Sequence, residues 1–244
     1  MRRSLLISVV FSFTAAAQIP PPILRLIRNP AVDSAAVYSR AGAAIEVLGA
    51  RSTTGVGETW LIEQHPTFGS IEEVDKALGS SGGQPADWIG PQGASPDEVL
   101  GPGRVMIAFY RDGWGYHSED AVRMMPRARF LYVTVYRMRP DSDKDMEALM
   151  GQRRQYLDSI NLNEPDLVYH VISGGTSGLY LVLTPMVSLR TMDERLTKMP
   201  LDVDPKQAPA SELGRESLLF RLDPKLSYVS DDFAAVDTGF WRGK

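Results

Sequence analysis

Two stretches of this chain follow the same residue order. Gly57-Glu58-Thr59-Trp60-Leu61-Ile62-Glu63 leads to His65-Pro66, then to a run from Ser70 to Leu78. Later, Ser177-Gly178-Leu179-Tyr180-Leu181-Val182-Leu183 leads to Thr184-Pro185, then to a run from Ser188 to Leu196. Trp60 aligns with Tyr180, Pro66 with Pro185, Ser70 with Ser188, and Asp75 with Asp193. Downstream, Gly115–Ala121 aligns with Ser227–Phe233. Upstream, Asp33-Ser34 aligns with Asp141-Ser142. One such match arises by chance. Several in the same order point to an internal duplication, and a duplicated chain folds as two like units.

The first residues stand outside this repeat. Arg2 and Arg3 precede a short apolar run, Leu5 to Phe13, and then Ala15-Ala16-Ala17. A positive start, a short apolar core and a small-residue site are the signature of a secretory signal peptide. The run is far short of the ~20 residues that span a bilayer. Pro20-Pro21-Pro22 would stop any helix that continued from it. Residues 1–17 are therefore expected to be a signal peptide cleaved after Ala17. The expected location is the periplasm or the outside medium, with no membrane attachment after cleavage. The repeats are then 18–126 and 127–244. The chain has no cysteine, so an exported protein would rely on its core alone.

The second repeat reads more clearly. Phe130 to Arg137 is rich in aromatic and β-branched residues and predicts a strand. Asp143 to Ile160 carries apolar residues at helical spacing, with acidic residues in its first turn. Leu167–Ser173 and Leu179–Thr184, joined through glycines, predict a hairpin. Ser188 to Leu196 predicts a short capped helix. Ser211–Leu222 is expected to be helical, and Lys225–Val229 a short edge strand. The first repeat follows suit. Strands are predicted at Ile23–Arg28, Ile45–Ser52 and Thr59–Gln64, and helices at Ser34–Ala43 and Ile71–Leu78. Residues 79–103 form a long Gly/Pro/Ser loop holding a capping-box pattern at Ser95-Pro96-Asp97-Glu98. Arg104–Arg111 reads equally as strand or helix. The element order is β-α-β-β-α-β, the ferredoxin-like pattern.

Two such units in tandem resemble the dimeric α/β-barrel superfamily. That group includes the NIPSNAP, antibiotic-biosynthesis monooxygenase and EthD-like families. The likeness rests on element order, on FLYVTVYR, on SGGTSGLYLV and on the Ser/Thr-Pro turn with its capped helix. It implies an α+β fold in which the antiparallel sheets of two tandem ferredoxin-like units pack into one intramolecular α/β barrel. A monomer with pseudo-two-fold symmetry then suffices. In FLYVTVY, the aliphatic set Leu131, Val133 and Val135 is expected to face the helices. The set Phe130, Tyr132, Thr134 and Tyr136 is expected to face the barrel interior.

Candidate chemistry is sparse. His65, His117 and His170 show no metal-ligand spacing, so no metal site and no cofactor are expected. His170 sits mid-strand among apolar residues and, expected to face the barrel interior, is the candidate catalytic base. His65 and His117 are expected at the surface. Trp60 and Tyr180 could stack on a flat ligand. Tyr132 and Tyr136 carry hydroxyls that need partners if buried. Arg25 interrupts the apolar strand ILRLI, so it must pair with a carboxylate or meet an anionic ligand. No G-x-S-x-G elbow is present, and the glycine-rich SGGTSG segment lacks a P-loop lysine.

Basic and acidic residues number 26 and 30, which argues against nucleic acid as a partner. The first expectation is an exported protein that binds a small apolar or aromatic ligand in the barrel. The second, implied by the resemblance, is a cofactor-independent monooxygenase or another oxidoreductase of the superfamily. His170 would then be the base, and Tyr132 and Tyr136 orienting donors. A haem-binding variant stays open, without strong support from any axial-ligand context.

Overall fold

A computed structural model describes residues 19–31, 34–55, 57–80, 83, 85–88, 99–100, 104–198 and 209–243. The expected signal peptide and the Ser95–Glu98 capping box lie outside the described residues. The first half runs β1 (Ile23–Arg28), α1 (Ser34–Ala41), β2 (Glu46–Ser52), β3 (Thr59–His65), α2 (Phe68–Gly79) and β4 (Val105–Tyr110). After α3 (Ser118–Met124), the second half runs β5 (Phe130–Met138), α4 (Asp143–Ser159), β6 (Leu167–Ser173), β7 (Leu179–Met186), α5 (Arg190–Lys198) and β8 (Glu212–Leu222). Two short helices follow, α6 (Asp231–Ala235) and α7 (Thr238–Trp241).

Among the described residues, eight strands pair antiparallel in one closed ring of hydrogen bonds, ordered β1-β3-β2-β8-β5-β7-β6-β4. The two halves meet at the β2–β8 and β4–β6 seams. Within each half the order is the same, β4-β1-β3-β2 and β8-β5-β7-β6. Arg104–Arg111, open on sequence grounds, contains a strand, because β1 and β6 both bond to it.

Two elements differ from expectation. Ser211–Leu222 holds β8 rather than a helix. Its C-terminal part alternates strictly, with Leu218, Phe220 and Leu222 buried and Arg221 exposed. That period of two suits a strand flanked by β5 and β2. Lys225–Val229 forms no edge strand. It makes one bridge, Val47 to Tyr228, and lies across β2. There Gly49 admits the Leu226 side chain so closely that a Cβ would stand 2.3 Å from it.

The ring interior is filled. Leu24, Leu26, Leu48, Trp60, Ile62, Leu131, Val133, Val135, Tyr169 and Phe220 belong to one buried cluster. Trp60 and Phe220, from opposite halves, pack with ring centroids 4.5 Å apart. The aliphatic set of β5 therefore faces inward, the reverse of expectation. Tyr136 instead packs outside the ring with Met146 and Met150 of α4. Leu131, Val133 and Val135 share that interior with Trp60, Tyr169 and Phe220, and branched aliphatics fill the space between such rings at native density.

Candidate functional site

Behind the outer face of β1 and β3 lies a buried polar network. Arg25 and Glu63 are paired directly across the two strands. Arg25 bonds to Glu63 and also reaches Asp75 on α2. Glu63 accepts a further bond from the Tyr38 hydroxyl of α1 and lies 2.7 Å from His65 Nε2. Glu63 and His65 are fully buried, and Arg25 nearly so. Burial alone would raise the Glu63 pKa, but the bonds from His65, Arg25 and Tyr38 outweigh it and hold the carboxyl below its usual range. Burial, and then the Glu63 charge, push the Tyr38 phenol upward. Arg25 thus meets the expectation that it pairs with carboxylates.

His65 does not lie at the surface. β3 continues through it, and α2 packs over the strand end, with Ser70 3.1 Å from its Nδ1. The local sequence gives one hint of this network. Arg25 interrupts the apolar run of β1, and a charge there calls for a partner, which β3 supplies in Glu63 directly opposite.

One transverse row crosses the outer face of the second half and runs over the seam onto β4. Strand pairing aligns Arg215, Tyr136, Tyr180, His170 and Phe109 on β8, β5, β7, β6 and β4. The Arg215 guanidinium sits 4.7 Å from the Tyr136 ring centroid. His170 stacks on Tyr180 at 4.4 Å and 18°. The Tyr180 hydroxyl donates to Asp143, which also pairs with Arg111 at 3.2 Å. Burial, and then the Asp143 carboxylate, raise the Tyr180 pKa. Burial lowers the His170 pKa, with Arg111 adding to it, and outweighs the upward pull of Asp143, which favours the neutral ring.

The structure therefore brings His170, Tyr136 and Tyr180 together, but on the outer face of the sheet rather than in the expected ring interior. Tyr132 lies further along β5, with the Arg195 guanidinium 5.0 Å from its ring centroid. Trp60 lies inside the ring and donates to Glu58 at 2.6 Å, on the opposite side of the sheet from Tyr180, despite their alignment in the repeat. Arg25 sits apart from both. His117 is exposed, as expected.

Open space gathers at one mouth of the ring, where Pro20-Pro21-Pro22 crosses it. Tyr169 and Tyr110 fasten that segment through the carbonyls of Pro21 and Pro22. A cleft of about 700 Å³ is lined by Ile19, the three prolines, Ala43–Ile45, His65 and Tyr228, among others. A neighbouring space of about 400 Å³ shares Ile19, Pro21, Glu46, Gln64 and Ser230 with it and adds Val122, Met125 and Phe233. Only about 20 Å³ extends inward from the mouth toward Leu24 and Leu131. Among the described residues, no group of His, Asp and Glu is arranged to hold a metal ion, and no helix is long and apolar enough to cross a membrane.

No family model matches this chain, and no curated protein matches it. Solved structures do. An anthrone oxidase-like protein shares 12% identity at TM-score 0.54, over 83% of this chain and 92% of that one. A monooxygenase-like protein from Fusobacterium nucleatum shares 10% identity at TM-score 0.50, over 84% and 94%. A chlorite dismutase variant from Candidatus Nitrospira defluvii shares 9% identity at TM-score 0.50, over 90% and 96%. At such identities the likeness shows the fold alone, a dimeric α/β-barrel fold.

Proposed function

We propose that this chain is an exported, single-chain α/β barrel of two tandem ferredoxin-like units, 18–126 and 127–244, that binds a small apolar or aromatic molecule at the mouth of its ring. The mouth cleft carries this reading. Its volume of about 700 Å³ falls within the range of small-molecule sites, and its lining is mostly apolar with a few polar groups at the edge. The filled interior moves the ligand from the centre of the barrel to its end. The identical strand order of the halves supports the duplication, and the ring closes within one chain, so a monomer suffices. The Arg2–Ala17 pattern supports export.

The test is a fluorescence titration of the purified chain with an apolar naphthalene-sulfonate dye, alongside native mass spectrometry of co-purified molecules. Ala44→Trp, on the exposed cleft wall, should weaken dye binding at least tenfold and leave the fold intact. Unchanged binding in that variant overturns the site. N-terminal sequencing that begins at Gln18 checks export, and light scattering checks the monomer.

One observation favours a second reading. Burial favours the neutral form of His170, and the ring stacks on Tyr180 at an outer surface where Phe109 and Ile172 are exposed. A neutral imidazole beside an apolar shelf suits removal of a proton from a hydroxyaromatic, the step that makes such a ring reactive toward dioxygen. This is the monooxygenase-like alternative, and the names of the fold neighbours are compatible with it. Oxygen-electrode assays on hydroxyaromatics, comparing the parent with His170→Ala, decide it. Equal uptake by both removes His170 from that role.

A further inference from the structure

The end of β3 and the first turn of α2 place three side chains in a line. Ser70 Oγ lies 3.1 Å from His65 Nδ1, and His65 Nε2 lies 2.7 Å from Glu63 Oε2. Arg25 and Tyr38 bind the same carboxylate and fix its position. An ionised carboxylate only accepts, so Nε2 carries the ring proton. In the neutral ring Nδ1 is then a lone-pair acceptor aimed at Ser70. The Ser70 hydroxyl also reaches the Thr67 carbonyl at 2.7 Å, so one rotation moves its proton from that carbonyl to the ring.

The surroundings suit chemistry at this oxygen. Ser70 is half-buried, and Pro66, Thr67, Phe68 and Gly69 beside it are exposed. His65 and Pro66 form part of the wall of the mouth cleft. α2 begins at Phe68, and although the Thr67 cap accepts from the Ser70 amide, the Phe68 and Gly69 amides have no intrahelical acceptor, so this helix end favours negative charge. The fold itself does not require this set. The matching turn of the second half reads Thr184-Pro185 with Ser188, and there Ser188 Oγ accepts from the Arg190 amide, with threonine where the first half has His65.

We propose that Ser70, His65 and Glu63 act as nucleophile, base and positioning residue for the hydrolysis of small carboxylic esters. Ser70 Oγ forms a bond to the ester carbonyl carbon while its proton passes to His65 Nδ1. The bond to the alcohol oxygen breaks, and the alcohol leaves with that proton. Water then adds to the acyl-serine and gives a proton to Nδ1. The bond to Ser70 breaks, the carboxylic acid departs, and the proton returns to Ser70 Oγ. Negative charge on the carbonyl oxygen faces the N-terminus of α2 in both steps.

The proposal does not rest on the binding reading. p-Nitrophenyl acetate is too small to need an apolar cleft, so failure here leaves dye binding untouched. The full chain is treated with a fluorophosphonate probe, and the adduct is located by peptide mass spectrometry. Hydrolysis of p-nitrophenyl acetate is followed in parallel. The expected result is a single adduct on Ser70, lost in Ser70→Ala together with about 100-fold or more of the hydrolysis rate. The helix cap is Thr67, so Ser70→Ala keeps the fold. Glu63→Gln should lower kcat with KM nearly unchanged, the mark of positioning. If that variant fails to fold, His65→Gln replaces it. No adduct, an adduct elsewhere, or unchanged hydrolysis in Ser70→Ala overturns the proposal.

Discussion

His170 lies flat against Tyr180, with ring centroids 4.4 Å apart and planes 18° from parallel. The two come from adjacent strands of one hairpin and sit directly opposite in its register. A short hairpin thereby sets the environment of the imidazole. Burial is the main reason its pKa falls below the usual histidine value, while Asp143 pulls it upward and Arg111 pushes it down. The ring proton followed by NMR should titrate below the ordinary range near 6.5. Asp143→Asn should lower the value further, and Arg111→Ala should raise it.

The Glu63 carboxyl makes stability depend on pH. Its folded pKa is depressed, so its contribution is full above the unfolded carboxyl value and is lost as pH falls through the folded one. Urea unfolding of the parent and of Glu63→Gln should therefore differ most near neutral pH. The two curves should converge as pH drops below the usual Glu value of about 4.3.

Trp60 fills the ring interior against Phe220, and its indole donates to Glu58. Trp60→Ala leaves a cavity that a closed ring of strands cannot collapse around. Denaturant unfolding should show a loss of about 3–5 kcal/mol.

Two glycines with positive φ separate backbone strain from steric clash. Gly42 has φ +63° and no atom within 4 Å of an added Cβ. Gly174 has φ +77°, and an added Cβ would stand 1.9 Å from the Val105 carbonyl oxygen, near the β4–β6 seam. Gly42→Ala should cost about 1–2 kcal/mol from conformation alone. Gly174→Ala should cost clearly more in the same thermal or urea series, because the seam must open to admit the methyl group.

Much of the fold is legible along the chain. The strands around Ile23–Arg28, Thr59–His65 and Phe130–Met138, and the helix from Asp143, follow from local periodicity, because apolar spacing and capping act over a few residues. The repeat likewise made two like halves the expectation. The sequence by itself could not say which face of β5 turns inward. A period of two marks two faces without telling which meets the core, and that depended on the space left by Trp60 and Phe220. Nor could it make β8 a strand, since that state depends on β5 and β2 far away in the chain. His65 reads as a surface residue until α2 closes over the end of β3. Arg25 announced its need for a partner, but only tertiary packing chose Glu63 and Asp75 for it and turned Tyr38, Glu63, His65 and Ser70 toward one another, because side-chain partners across strands and helices are supplied by the fold.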